Sequence, residues 1–360
     1  MVYIGLDVHQ KSTTFCIQDD NGKQVQLGSC TTDFKGLSNA LGSIFNKYPG
    51  ASVGMEACSK AYVTSGIITE LGGTAHVFPA DEVAKKTRSS KKKTDTRDAQ
   101  DLCTNLRTGA LLREVVMPPD GMRKLRSVLR ARQMQVKIMT QAGNAAKALL
   151  REYGLDKATG SLKTETAWKQ RLKQNIPSDI RPLIEAHFST FLLASEQEKT
   201  LTRQAEKLGR ENRAFDIVQS IPGVGPITRL ALCAHLFDIS RFKNGKQVTA
   251  YVGLCPSSYD SGDRERKGRI TREGPGLLRA LLVECAQHAS RRSSPLNPFY
   301  RRLIVKHGHK KALVAIAAKL CRMVYGLVKR GEYFSSESLG VRYDETRQGY
   351  VIDRGERGAA

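Results

Sequence analysis

The chain has 360 residues, with 58 Lys+Arg against 35 Asp+Glu, a formal charge of +23, and 40% apolar residues. Such a composition excludes general disorder, and the length accommodates two or three domains that each bury a core. The charge surplus points to a strongly acidic partner, nucleic acid before a membrane, because the longest purely apolar runs, such as residues 312–318, are too short to span a bilayer.

The first third alternates strand and helix signals. Short β-rich runs fall at residues 2–6, 13–17 and 24–30, with Asp19-Asp20-Asn21-Gly22 as a hairpin turn between the second and third. Helical periodicity follows at 37–48, a strand at 52–56, a helix at 61–71, a strand at 74–78 and a helix at 95–111. The order βββαβαβα predicts an α/β domain over residues 1–118, closed by Pro118-Pro119. Its strand order matches the RNase H-like pattern, as an analogy of pattern. Residues 119–215 are rich in Lys, Arg, Gln, Glu, Leu and Ala. Heptad-like spacing at 122–153 and 184–208 predicts long helices, in a coiled coil or an ordinary bundle. From residue 216 to 335 a Gly-rich turn (Ser220-Ile-Pro-Gly-Val-Gly-Pro-Ile-Thr228) opens a mostly helical third domain. Residues 336–360, polar and without periodicity, read as a loose tail.

The N-terminus MVYIGLDVHQK lacks a basic segment followed by an apolar run, so no secretory leader is expected. The eight cysteines include no C-x-x-C pair and read as reduced, buried thiols of a cytoplasmic protein, not as a zinc site or a disulfide framework. No G-x-x-x-x-G-K-[ST] motif occurs, so ATP hydrolysis is not expected. His307-Gly308-His309 lacks a third ligand nearby.

Four carboxylates stand out. Asp7 ends the first strand, Glu56 ends the fourth, and Asp95 and Asp98 open the last helix of the domain, on one face by their i, i+3 spacing. Carboxylates at a helix start also serve as caps and favour the dipole, so the helix pair alone has a structural explanation. Asp101 continues the same series. If the strand pattern folds as the analogy has it, the four meet, repel one another and invite a divalent cation; all-oxygen donors suit Mg²⁺ or Mn²⁺. Such an ion polarises phosphodiesters.

Residues 253–282 hold the candidate nucleophiles Ser257, Ser258 and Ser261, with Tyr259 as a rival. Arg264, Arg266, Lys267, Arg269 and Arg272 follow, with Arg279 beyond them; this cluster suits phosphate. The turn glycines Gly223 and Gly225 either present amides to a backbone phosphate or simply join two helices. Lys85, Lys86, Arg88, Lys91, Lys92 and Lys93 form a basic run just before Asp95 and read as a loop tracking a nucleic-acid backbone.

Three blocks then resemble one family, the DEDD-type insertion-sequence transposases related to the Piv invertases, bridge-RNA-guided recombinases. They are Ile4-Gly5-Leu6-Asp7 with Val53-Gly54-Met55-Glu56-Ala57; Lys93-Thr94-Asp95-Thr96-Arg97-Asp98-Ala99; and Tyr259-x-Ser261-Gly262 leading to Gly268-Arg269-Ile270-Thr271-Arg272-x-Gly274 and Leu278-Arg279-x-x-Leu282. The resemblance covers roughly residues 2–332, in order. It implies a RuvC-like (RNase H-like) N-terminal domain, a helical coiled-coil connection and a C-terminal serine transposase domain. It also implies a metal tetrad of Asp7, Glu56, Asp95 and Asp98, and Ser261 as nucleophile through a 5′-phosphoserine. The implied partners are donor and target DNA, an element-encoded bridge RNA, and further copies of the chain in a dimer or tetramer, with no membrane. On the residues alone, a metal-dependent junction nuclease and a non-catalytic nucleic-acid-binding protein stay open as alternatives.

Overall fold

The computed structural model describes residues 1–87, 94–111, 113–155, 160–210, 212–261 and 264–353. Two compact units divide the chain, Met1–Met117 and Pro118–Ala360.

The first unit is built on β1 (Val2–Val8), β2 (Ser12–Asp19), β3 (Gln24–Thr31), β4 (Ser52–Glu56) and β5 (Thr74–Phe78), in the order β3-β2-β1-β4-β5. The pairs β1–β2 and β2–β3 are antiparallel, whereas β1–β4 and β4–β5 are parallel. The parallel pairs need crossovers, supplied by α1 (Phe34–Lys47) and α2 (Ala61–Glu70). The Asp33 side chain caps α1, accepting from the Gly36 amide at 2.7 Å. Alternation along the strands sends Ile4, Leu6, Val53 and Met55 to one face, where they pack on Leu37, Leu41 and Ile44 of α1 and Ile67 and Ile68 of α2. The opposite face carries α4 (Asp95–Arg107), whose Ala99 and Cys103 are buried with Cys16 of β2. A short helix, α3 (Ala80–Thr87), not anticipated from the sequence, follows β5.

The second unit opens with α5 (Asp120–Glu152), α6 (Glu165–Leu172) and α7 (Arg181–Gly209). The start of α5 (Met122, Leu125, Leu129) shares a core with Ala205 late in α7, whereas its end (Ala146, Leu150) packs on Ile184 and Phe191 early in α7. The two long helices therefore run antiparallel. Midway, Arg132 pairs with Glu198 and its Nε donates to the Thr202 hydroxyl at 2.8 Å. Near the distal end Trp168 is fully buried, its Nε1 donating to the Leu162 carbonyl at 3.1 Å and its ring stacked 5.5 Å from Phe188.

A 3-10 helix over Arg213–Ser220 leads into α8 (Pro226–Leu236), which is buried almost all round, as a central helix must be. Around it lie α9 (Gly245–Tyr251), α10 (Gly276–Ala289) and α11 (Asn297–Arg330), the last broken at Gly308, whose φ is 75°. No described helix is long and apolar enough to cross a membrane, and no described cysteine is in a disulfide.

Lys85 and Lys86, read as part of a loop, lie in α3, and two further segments differ from expectation. The serine segment, within the domain expected to be mostly helical, forms an antiparallel hairpin of β6 (Pro256–Ser261) and β7 (Arg264–Ile270). The segment read as a loose tail contains a second hairpin, β8 (Val341–Asp344) and β9 (Gly349–Ile352). Val341 is buried and Tyr343 meets Tyr350 edge-on at 5.3 Å, so two small contacts order a chain with no apolar period.

Candidate functional site

The site in the first unit starts from two glycines. An ideal Cβ on Gly5 would stand 2.1 Å from the Ala99 carbonyl oxygen and 2.4 Å from the Cys103 nitrogen, so α4 lies directly on β1 where only glycine fits. On the neighbouring strand a Cβ at Gly54 would meet Leu106 of α4 at 3.3 Å. Farther back along β1, the Cys103 thiol donates to the Tyr3 carbonyl at 3.1 Å. Going up β1 from Tyr3 to Gly5 thus means going back along α4 from Cys103 to Ala99, so the helix runs against the strand. Its N-terminus is delivered to the end of β1, where Asp7 stands.

Asp7 shares the α4 face with Gly5 by strand alternation, as Glu56 does with Gly54. The parallel register pairs Leu6 with Met55, so Asp7 and Glu56 are the next residues on adjacent strands. Both are half-buried. Burial raises the Asp7 carboxyl above its ordinary range; His9 opposes the rise, and the charges of Asp98 and Asp95 add to it. The fold therefore brings Asp7, Asp95 and Asp98 into one electrostatic site, with Glu56 on the same face and at the same end of the sheet.

The capping explanation for the helix pair finds its residue elsewhere. The Thr94 hydroxyl is the N-cap of α4, accepting from the Arg97 amide at 3.3 Å. Asp95 and Asp98 occupy the first turn without making that bond. Asp101, one turn on, is also raised by burial, then by Asp98, with Arg97 opposing.

His9 is a residue that the sequence reading passed over. Its Nε2 lies 3.0 Å from Asp7 Oδ2 and 3.5 Å from Asp95 Oδ1. Donor atoms of Asp7, His9 and Asp95 all fall within 4.8 Å of one another. Crowded carboxylate oxygens with one imidazole nitrogen form a donor set that fits a divalent cation. His9 stands one residue past β1, in the turn into β2, so its only signal in the sequence was closeness to Asp7.

In the second unit, Ser261 is the last residue of β6 and pairs in register with Arg264; Tyr259 pairs with Arg266 and Ser258 with Lys267. The Ser257 hydroxyl donates to the Arg269 carbonyl at 3.0 Å, tying the base of the hairpin. Arg269 and Arg272 are exposed. Arg279 is engaged within the fold, its Nη1 donating to the Val252 and Glu273 carbonyls, each at 2.9 Å. Gly223 has φ of 90° and would clash with the Cys285 carbonyl if it bore a Cβ, 2.7 Å away, so packing on α10 already requires glycine there. Gly225 is the N-cap position of α8. Arg88, Lys91, Lys92, Lys93 and Gly262 lie outside the described residues.

A further basic region was not singled out in the sequence. Residues 285–331 carry eleven Lys or Arg and no Asp or Glu. Arg301, Arg302, Lys306, Lys310 and Lys311, on either side of the Gly308 break in α11, are all exposed.

Comparison with known proteins gives two matching family models. A transposase model of the DEDD IS110 type matches residues 4–155. A second, described as the transposase IS116/IS110/IS902 family, matches residues 215–301. The transposase for insertion sequence element IS1111A of Coxiella burnetii is 27% identical over 297 residues, covering 78% of each chain. The transposase for insertion sequence element IS1328 of Yersinia enterocolitica is 23% identical over 291 residues, 80% of this chain and 86% of that one. The pilin gene-inverting protein of Moraxella bovis is 29% identical over 126 residues, 34% of this chain and 39% of that one.

Proposed function

The chain belongs to the IS110 family of DEDD transposases, and from that premise we propose that it cuts and rejoins DNA through Ser261, with Asp7, Glu56, Asp95 and Asp98 holding Mg²⁺ or Mn²⁺. The observation that carries the reading is the delivery of Asp95 and Asp98 onto Asp7, whose carboxyl is raised by burial and by those two charges. Carboxylates in that state are relieved by a shared cation. The strand order β3-β2-β1-β4-β5, with an antiparallel edge and a parallel remainder, supports an RNase H-like fold for this unit.

A cation held by Asp7, Glu56, Asp95 and Asp98 would supply charge neutralisation to a phosphodiester. Ser261 Oγ forms the bond to phosphorus while the bond to the 3′ oxygen breaks, and the serine proton is lost as the 3′ oxygen gains one. The products are a 5′-phosphoserine and a free 3′-hydroxyl. Attack by a partner strand's 3′-hydroxyl reverses the step and releases the serine, so the phosphodiester energy is conserved without ATP. We assign the holding of the phosphate to Arg264 and Arg266, which belong to the strand that pairs with β6.

A recombinase must also select its site. The exposed Arg301, Arg302, Lys306, Lys310 and Lys311 suit backbone tracking, which positions a duplex but reads little sequence. We assign selection to base pairing by an element-encoded bridge RNA, with two or four copies of the chain holding donor and target DNA.

A denaturing gel with end-labelled DNA tests the chemistry. Wild type with Mg²⁺ and the RNA gives a covalent protein–DNA adduct, Ser261→Ala gives none, and Ser257→Ala and Ser258→Ala retain it. Free cut ends without adduct identify a nuclease instead. Site-specific recombination by RNA-free protein overturns the RNA assignment.

A further inference from the structure

The DEDD tetrad leaves one donor unused. His9 follows β1 directly, and its backbone is held by the turn into β2: its amide donates to the Ser12 carbonyl at 3.0 Å, and the Lys11 carbonyl accepts from Thr32 at 2.9 Å. A residue so anchored presents its side chain from a fixed origin. The imidazole is half exposed, so core packing does not account for its orientation; the groups it meets are Asp7 and Asp95.

We propose that His9 is a further ligand of the cation in this site, a nitrogen donor that shifts the site's preference from Mg²⁺ toward Mn²⁺. The proposal rests on the reading that the tetrad binds a divalent ion. Neighbouring donors around an octahedral ion with bonds of about 2.1 Å are about 3.0 Å apart, and opposite donors about 4.2 Å apart. The Asp7 oxygen lies 3.0 Å and the Asp95 oxygen 3.5 Å from His9 Nε2, close to the spacing of neighbouring donors. All three atoms lie within 4.8 Å of one another, little more than the longer distance. A small inward movement is enough for them to share an ion.

The chemical consequence follows from donor type. Mg²⁺ takes oxygen almost exclusively, whereas imidazole binds Mn²⁺ more readily and the later metals more readily still. A site of carboxylates alone separates Mg²⁺ from Mn²⁺ weakly. The same carboxylates with one imidazole bind Mn²⁺ more tightly while gaining little for Mg²⁺. The imidazole also leaves the metal site one negative charge fewer than an added carboxylate would, which leaves room for a phosphate oxygen.

The test uses the full-length protein, free of nucleic acid, with Mn²⁺ as probe. Pulsed electron paramagnetic resonance of the Mn²⁺ protein labelled with ¹⁵N-histidine is expected to show a directly bonded nitrogen coupling that vanishes in His9→Ala. Titration is expected to show His9→Ala weakening Mn²⁺ binding by about tenfold or more. Mg²⁺ binding, read by competition, should shift far less. Asp7→Asn is the control for the site itself and is expected to weaken both ions. If Mn²⁺ binds in an Asp7-dependent way but shows no histidine coupling, the His9 proposal is overturned and the tetrad stands. If wild type binds no Mn²⁺ that depends on Asp7, both readings are overturned. Circular dichroism of each variant separates loss of a ligand from loss of the fold.

Discussion

Gly5 lies beneath Ala99 so closely that a Cβ at residue 5 would stand 2.1 Å from the Ala99 carbonyl oxygen. The obstructing atoms are backbone, which cannot rotate aside. Gly5→Ala is therefore expected to lift α4 from β1, at a cost of about 1–3 kcal/mol in stability. Because α4 carries Asp95 and Asp98 to Asp7, DNA cleavage should fall more than stability does, by about a hundredfold for a displacement near 1 Å. Thermal melting with a cleavage assay on the same preparations checks both. A stable Gly5→Ala protein with full activity would mean that the contact does not set the site.

Replacing any of Asp7, Glu56, Asp95 or Asp98 by Asn should reduce cation-dependent cleavage by about 10²–10³-fold, with nucleic-acid binding almost unchanged. Asp101→Asn should be milder. Asp101 is raised chiefly by burial and secondarily by Asp98, so it is a neighbour of the site one turn further from Asp7. Measured cleavage at saturating Mg²⁺ decides the ranking. Full loss in Asp101→Asn with an active Asp98→Asn would move the helix pair one turn along α4.

Much of this site was readable from strand ends. Apolar runs terminated by Asp7 and Glu56, and the series beginning at Asp95, gave positions that the fold places on one sheet face. His9 escaped because it lies past the end of β1, in the turn into β2, where strand alternation no longer fixes the side of a residue. The β6–β7 hairpin escaped for another reason. Pro256–Ser261 and Arg264–Ile270 have no alternation of apolar residues, so their pairing left no period to detect. In α3, charged residues dominate a helix of only eight residues, too short for periodicity to register. The role of Thr94 as cap was a local matter of which hydroxyl precedes the helix, and it became clear only with the Arg97 amide in place.

Salt dependence reports on the basic face. Lys306, Lys310 and Lys311 are exposed in a stretch with no acidic residue to offset them. Replacing all three by Gln should flatten the slope of log affinity against log salt by up to about 2.7 on duplex DNA, about 0.9 for each phosphate no longer neutralised. The preference among DNA sequences should not change, because phosphate contacts carry none. The same substitution at Lys91, Lys92 and Lys93 tests the run before Asp95 in parallel. An unaltered slope in either variant makes that run a solvated surface.

His235 gives a pH dependence with a definite sign. Burial, followed by the charges of Arg126, Arg130 and Arg241, pushes its imidazole from 6.5 down to about 3. Two of these arginines are fixed there by other bonds. Arg126 Nε donates to the Ala234 carbonyl at 2.9 Å, Arg241 Nη2 donates to the His235 carbonyl at 2.6 Å, and the Arg241 guanidinium lies 4.6 Å from the Phe237 ring. Both carbonyls belong to the C-terminal end of α8, which favours cations. The neutral histidine is thus the one the folded unit accepts, and between about pH 3 and 6.5 the unfolded chain binds the extra proton. Stability therefore rises with pH through that window, is fully present above 6.5, and is lost progressively as pH falls below it. His235→Gln keeps the backbone acceptor for Arg241 and removes the titration. Denaturant midpoints at pH 7.5 and 5 should show wild type losing more stability on acidification than His235→Gln. Equal losses would mean that His235 takes up its proton in the folded state as easily as in the unfolded one.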